Sequence, residues 1–176
     1  NSKETFILIN NWFMIFFLVT VLLGTVYPIF TEVLNNHKVS VGPPFYNTVI
    51  IPILVLFLFF MSIGPNTKWI KNKFDNLKLL SKILLGSIFI NFSIVYFFKS
   101  YSILSNLIII SSVFLIFSSL RNLLQVIKKK KLNSSTALSH TAFGFLVLFI
   151  GLNYNFSLEK DFNLKLGEIR KFDNYS

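Results

Sequence analysis

The sequence predicts an all-α protein: a polytopic transmembrane bundle of about five spans that leads into the start of an extramembrane, β-rich segment. Three observations carry this. First, 53% of the 176 residues are hydrophobic and only 14% are charged, whereas charged residues make up about a quarter of a soluble domain. Second, several runs of 16 to 20 residues contain no charge, and a helix of that length crosses a hydrocarbon core of about 30 Å. Third, the basic residues cluster in short stretches between those runs, as loop charges that set membrane orientation do. A formal charge of +10 would point to nucleic acid in a soluble protein. Distributed in this way it anchors helices instead, and no nucleic-acid partner is expected.

Residues 1–152 form the predicted transmembrane region, with spans at about 12–30, 48–63, 83–98, 104–120 and 136–152. In the first, Trp12 and Tyr27 sit where amphipathic rings mark the interfaces, and Pro28 is expected to end the helix. The following loop carries His37, read as a solvated residue. Its Gly42-Pro43-Pro44 sequence predicts a fixed, extended or turning segment. The second span has Pro52 in its expected first turn and Gly64-Pro65 at its close.

Lys68, Lys71, Asp75, Lys78 and Lys82 recur at steps of three and four opposite Ile70, Phe74, Leu77 and Leu80. That pattern predicts a short amphipathic helix on the membrane surface over 66–82. The tight connection at 99–102 makes the third and fourth spans an antiparallel pair. Asn91 and the serine pairs Ser111-Ser112 and Ser118-Ser119 are read as helix-packing contacts. Arg121 and the lysine run 128–131 form a second anchor. In the tail, residues 153–176, the apolar residues alternate over Phe156–Leu158 and Phe162–Leu166, as the first strand or two of an extramembrane domain would.

Orientation follows from counting. Eleven Lys/Arg fall on the side of Lys3 and the two basic stretches, against one in each of the two opposite loops and four, balanced by acids, in the tail. The positive-inside rule then puts residues 1–11 inside and the tail outside, in the bacterial periplasm. The 22 phenylalanines, like the Ile, Lys and Asn, are read as the mark of an AT-rich genome. The chain opens on Asn1 and stops in a polar segment, which predicts a piece of a longer protein. The absence of cysteine excludes thiolate chemistry and a CxxCH haem-attachment motif in this chain.

One residue breaks the apolar pattern of the fifth span. His140 lies about two turns from its basic end, and an ionisable group within the membrane is a functional candidate by default. Two readings stand side by side: a metal ligand through one ring nitrogen, or a buried histidine hydrogen-bonded to serines of a neighbouring helix.

Several motifs in order resemble the CcmF/NrfE family, the haem lyase subunits of system I cytochrome c maturation. Ser2-Lys3-Glu4 with Leu8-Ile9-Asn10-Asn11 resembles "SRE…LLNN", Leu23-Gly24-Thr25-Val26-Tyr27-Pro28 resembles "LGTLYPL", and the segment 38–47 resembles "KISVGPPYFN". Ile63-Gly64-Pro65 with Trp69 resembles "GIGPLLRW", and Asn155-Phe156-Ser157-Leu158-Glu159-Lys160-Asp161 resembles "YSVERD".

The resemblance implies that His140 stands at the "AHLG" histidine, an axial ligand to the iron of an intramembrane b-type haem. The second axial ligand would lie outside this chain. It implies part of a haem lyase that helps attach haem to the CxxCH motif of apocytochromes c, the b-haem reducing the incoming haem. No residue here is assigned to catalysis itself. A haem chaperone, other maturation subunits, apocytochrome c and membrane lipid are the implied partners. A bacterial inner membrane is the implied location, with the mitochondrial inner membrane as alternative. The chain departs from "AHLG" in reading Ser139-His140-Thr141-Ala142, with the glycine delayed to Gly144. A small residue there is expected to let a flat ring approach the helix. The rival class is a membrane transporter or a non-catalytic scaffold without haem, and visible absorbance separates the two.

Overall fold

The structure is a computed structural model that describes residues 3–36, 39–67, 77–98, 102–128 and 134–156. Five helices follow one another: α1 (Lys3–Asn35), α2 (Pro43–Ile63), α3 (Leu77–Phe98), α4 (Ile103–Lys128) and α5 (Ser135–Phe156), with a 3-10 turn (Gly64–Asn66) after α2. Each is long and apolar enough to cross a membrane. No strand occurs among the described residues. Residues 157–176 of the expected β-rich tail, His37 and residues 68–76 of the expected surface helix lie outside them, whereas residues 153–156, expected to open that tail, are the last turn of α5.

The helices overrun the predicted spans, and the prolines explain why. Pro28 was expected to end the first span, yet α1 continues through it to Asn35 and holds 33 residues. At 1.5 Å per residue that is about 50 Å, against a hydrocarbon core of about 30 Å, so its polar ends reach past the core. Proline removes one backbone donor and frees the carbonyl four residues earlier. The carbonyl freed here is that of Gly24, and the helix continues because one lost bond in 33 residues leaves the others in place. Pro52 is likewise interior to α2 rather than in its first turn.

The expected extended segment at Gly42-Pro43-Pro44 is instead a helix start. Gly42 is extended (φ −116°, ψ −173°) and the two prolines occupy the first helical positions, where the missing N–H is not needed and φ is already helical. The first turns of α3 begin at Leu77, so 78–82 belong to a membrane helix rather than to a separate surface element.

α4 is the axis of the bundle. It packs against α2, α3 and α5, and its residues Ser105, Ile108, Ile109 and Ser111 to Ile116 are buried along with Ser118 and Ser119. Ile51, Val55 and Leu58 of α2 meet Ile108 and Leu115 of α4 and Val147 of α5 in a single apolar core. The serine pairs pack helices, as expected, by two routes. Ser111 and Ser112 turn their hydroxyls to their own helix at 3.0 Å and present little more than a methylene to the neighbour. Ser118 and Ser105 bond across, to the Ser62 carbonyl at 2.9 Å and the Gly151 carbonyl at 3.1 Å. The Ser62 carbonyl belongs to the last turn of α2 and lacks an ordinary helical partner, so Ser118, together with Asn66 Nδ2 at 3.1 Å, closes that helix end.

α1 lies antiparallel on α2 along an aromatic seam. Phe13 and Phe17 pack edge-on or tilted against Phe57 at 5.6 and 5.7 Å, and Phe6 meets Phe60 at 6.0 Å. These rings have a structural use, beyond the base composition that enriches phenylalanine. At the far end of the seam, Tyr46 covers Gly24 so closely that a Cβ there would fall 2.5 Å from its hydroxyl and 2.9 Å from Cζ. Gly24→Ala is therefore expected to turn the Tyr46 ring aside and to destabilise the protein at the lower end of the about 1–3 kcal/mol typical of overpacking. Thermal unfolding in detergent should show the loss, and a second change, Tyr46→Ala, should recover part of it.

Candidate functional site

His140 falls in the second turn of α5. The helix opens with the Leu138 N–H on the Ser134 carbonyl at 3.0 Å, and the side chains beside His140 are turned inward to their own turn. Ser139 Oγ donates to Ser135 O at 2.9 Å and Thr141 Oγ1 to Ala137 O at 2.8 Å. Neither competes for the imidazole. His140 itself is half-buried, and its Nδ1 is fully enclosed without a hydrogen-bond partner. The serine-bonded reading therefore lacks its bond at this nitrogen.

The ring lines a cavity of about 760 Å³ at one end of the bundle, bounded by the first turns of α1 and α5 and the last turns of α2 and α4. Its apolar wall includes Phe6, Phe57, Phe60 and Met61. Asn10, Ser119 and Asn122 supply polarity, with Lys3 also present at this end. Asn122 Nδ2 is a second buried atom without a partner. A buried polar atom left unpaired costs about 1–3 kcal/mol, and two of the residues that line this cavity carry one.

The volume lies within the roughly 300–1,000 Å³ of small-molecule and cofactor sites, which are also mostly apolar with a few placed polar groups. Among the described residues no three His, Cys, Asp or Glu side chains gather to hold a metal ion. A single histidine in an apolar-walled space suits a macrocycle that brings its own equatorial nitrogens and takes only axial ligands from protein.

The sequence reading singled out His140 but missed Asn122 and Asn10 as its companions. A signal existed on α4: Ser119, Asn122 and Gln125 recur every three residues in a stretch otherwise apolar after Arg121. The role expected for Gly144 is overturned. It does not leave room beside His140, because it is buried against α4, where a Cβ would lie 2.7 Å from Ile116 Cγ1.

Helices and cavity together define a multi-pass membrane protein with a histidine-bearing pocket at its basic end. By sequence the chain is homologous to the CcmF cytochrome c-type biogenesis proteins. It is 26% identical to the one from Haemophilus influenzae, in an alignment covering 99% of this chain and 29% of that protein. With CcmF of Escherichia coli K12 it shares 22% identity over 95% of this chain and 27% of the relative. With that of Pseudomonas fluorescens it shares 36% over 49% of this chain and 13% of the relative. The chain thus spans less than a third of the length of these curated relatives. No family model matches the chain, and no solved structure does.

Proposed function

We propose that this chain is part of a cytochrome c haem lyase of the bacterial inner membrane, and that His140 is one axial ligand to a b-type haem held within the bundle. The observation that carries the reading is the enclosed, unpaired Nδ1 of His140 in an apolar-walled cavity of about 760 Å³. The homology to cytochrome c-type biogenesis proteins over nearly the whole chain supports it.

Bound there, haem supplies reversible one-electron chemistry at iron. The residues of this chain do the rest. His140 would coordinate the metal from α5 through one ring nitrogen, and the other, free to donate, needs a partner that fixes the ring's orientation. Phe57, Phe60 and Met61 exclude water, which tunes the potential of an iron centre through the local dielectric. Asn122 offers a buried donor to the group that enters. His140 is the single histidine among the described residues, so in this reading a second histidine ligand would come from outside them.

In this reading the whole protein accepts haem from a haem chaperone, works with other maturation subunits and delivers haem to the CxxCH thiols of an apocytochrome c. Residues 157–176 lead into its periplasmic part. A transporter would present charge in mid-membrane, but the described helices carry Asp, Glu, Lys and Arg only near their ends.

The test is the reduced-minus-oxidised visible spectrum of the full parent protein, with and without His140→Ala. The expected result is loss of a low-spin b-type signal while the protein remains inserted. An unchanged spectrum would make His140 a packing residue.

A further inference from the structure

A second cavity, about 410 Å³, runs between α3 and α4 on the outside of the bundle. Its walls are apolar (Ile83 and Ile90 from α3, Phe117 from α4), and Lys82 of α3 and Arg121 of α4 both line it. Those two cations mark the basic end of the bundle, the same end that holds the His140 cavity, since Ser119 of that cavity lies one turn or less from both Phe117 and Arg121. From Lys82 to Ile90 the groove descends eight residues along α3, about 12 Å at helical rise. One leaflet of the hydrocarbon core is about 15 Å deep. The charged end therefore sits at headgroup level when the apolar part sits among acyl chains.

We propose that this groove is a binding site for an anionic phospholipid, with the phosphate between Lys82 and Arg121 and an acyl chain along Ile83, Gly86, Ile90 and Phe117. Charge complementarity selects the occupant. The described carboxylates, Glu4 and Glu32, are both on α1, and neither cation has an ion-pair partner among the described residues. A transmembrane helix seated here would need an acid at that depth, whereas a phosphodiester brings its own charge. Basic pockets between membrane helices on the cytoplasmic side bind anionic headgroups on this principle. Gly86 forms the floor: a Cβ on it meets nothing within 4 Å among the described residues, so no other described helix covers the groove there.

The inference is independent of haem binding, and its test uses the full parent protein. Native mass spectrometry from mild detergent would count retained phosphatidylglycerol and phosphatidylethanolamine, offered at equal concentration. The expected result is a preference for phosphatidylglycerol that falls on the order of tenfold in Lys82→Gln combined with Arg121→Gln, with phosphatidylethanolamine unchanged. Gly86→Leu fills the groove with a better helix former and should reduce retention of both lipids without lowering the melting temperature. A free phosphate would be indifferent to that change, so its loss ties binding to the acyl groove. Unaltered phosphatidylglycerol in the double variant overturns the proposal. So does a Gly86→Leu protein that melts lower yet keeps its lipid, because a protein helix then fills the groove.

Discussion

Replacing His140 with glycine in the full parent protein is expected to lower the yield of holocytochrome c on the order of 100-fold, and millimolar imidazole is expected to restore part of it. Removing a group that only supports a ligating histidine already costs about 10–100-fold in metal affinity or activity, so loss of the ligand itself should reach the upper end. Rescue follows from the geometry. The side chain projects into an existing cavity of about 760 Å³, and glycine enlarges it by the volume of an imidazole that free imidazole can then occupy. The carbonyl network around the position does not depend on the ring, because Ser139 and Thr141 bond to their own turn. Glycine in the helix interior costs about 1 kcal/mol, too little to unfold a bundle held by α4. Full yield in His140→Gly without imidazole would remove the residue from the function. A loss that imidazole leaves untouched, with protein level and insertion normal, would assign His140 to packing.

How much of this was legible in the sequence depends on how far apart the interacting residues lie. The five helices were, because each apolar run satisfies its own backbone and needs no neighbour to identify it. Their ends were less so. Pro28, Pro52 and the Gly42-Pro43-Pro44 start all signal a break by soluble-protein rules, yet the first two lie inside helices and the third opens one.

His140 stood out because an imidazole in an apolar run is rare and expensive. The cavity around it did not. Its walls come from residues near 3–10, 57–65, 119–126 and 136–140, and only the packing of α1, α2, α4 and α5 around one another brings those stretches to one end. Asn122 looks from sequence like an interfacial polar residue beside Arg121. Its enclosed, unpaired amide is a property of the fold.

The same packing makes the α4–α5 seam the most sensitive part of the bundle, and its glycines are expected to be unequal. At Gly144 a Cβ would meet Ile116 Cγ1 at 2.7 Å, with the Ile116 N and the Ser112 O behind it at 3.4 and 3.5 Å. At Gly151 it would meet Ile108 Cγ2 at 2.8 Å, with only side-chain atoms of Ile108 and Ile109 next, at 3.5 and 3.6 Å. Isoleucine is nearly locked at χ1 in a helix, so neither clash is relieved by a simple rotation. Backbone lies behind one of them, however, and backbone cannot give. Gly144→Ala should therefore cost at the upper end of the about 1–3 kcal/mol typical of overpacking, and Gly151→Ala nearer the lower end. Combining Gly144→Ala with Ile116→Ala removes the nearest atom and should recover part of the loss, the two backbone contacts remaining. Position matters as much as magnitude. Gly144 is one turn from His140, so forcing α5 off α4 there displaces the imidazole, whereas Gly151 is three turns away. The b-type signal of the parent protein should thus fall in Gly144→Ala and persist in Gly151→Ala at equal protein. Equal spectra in the two variants would mean that α5 moves as a rigid rod, and that His140 is held by the cavity walls rather than by the seam.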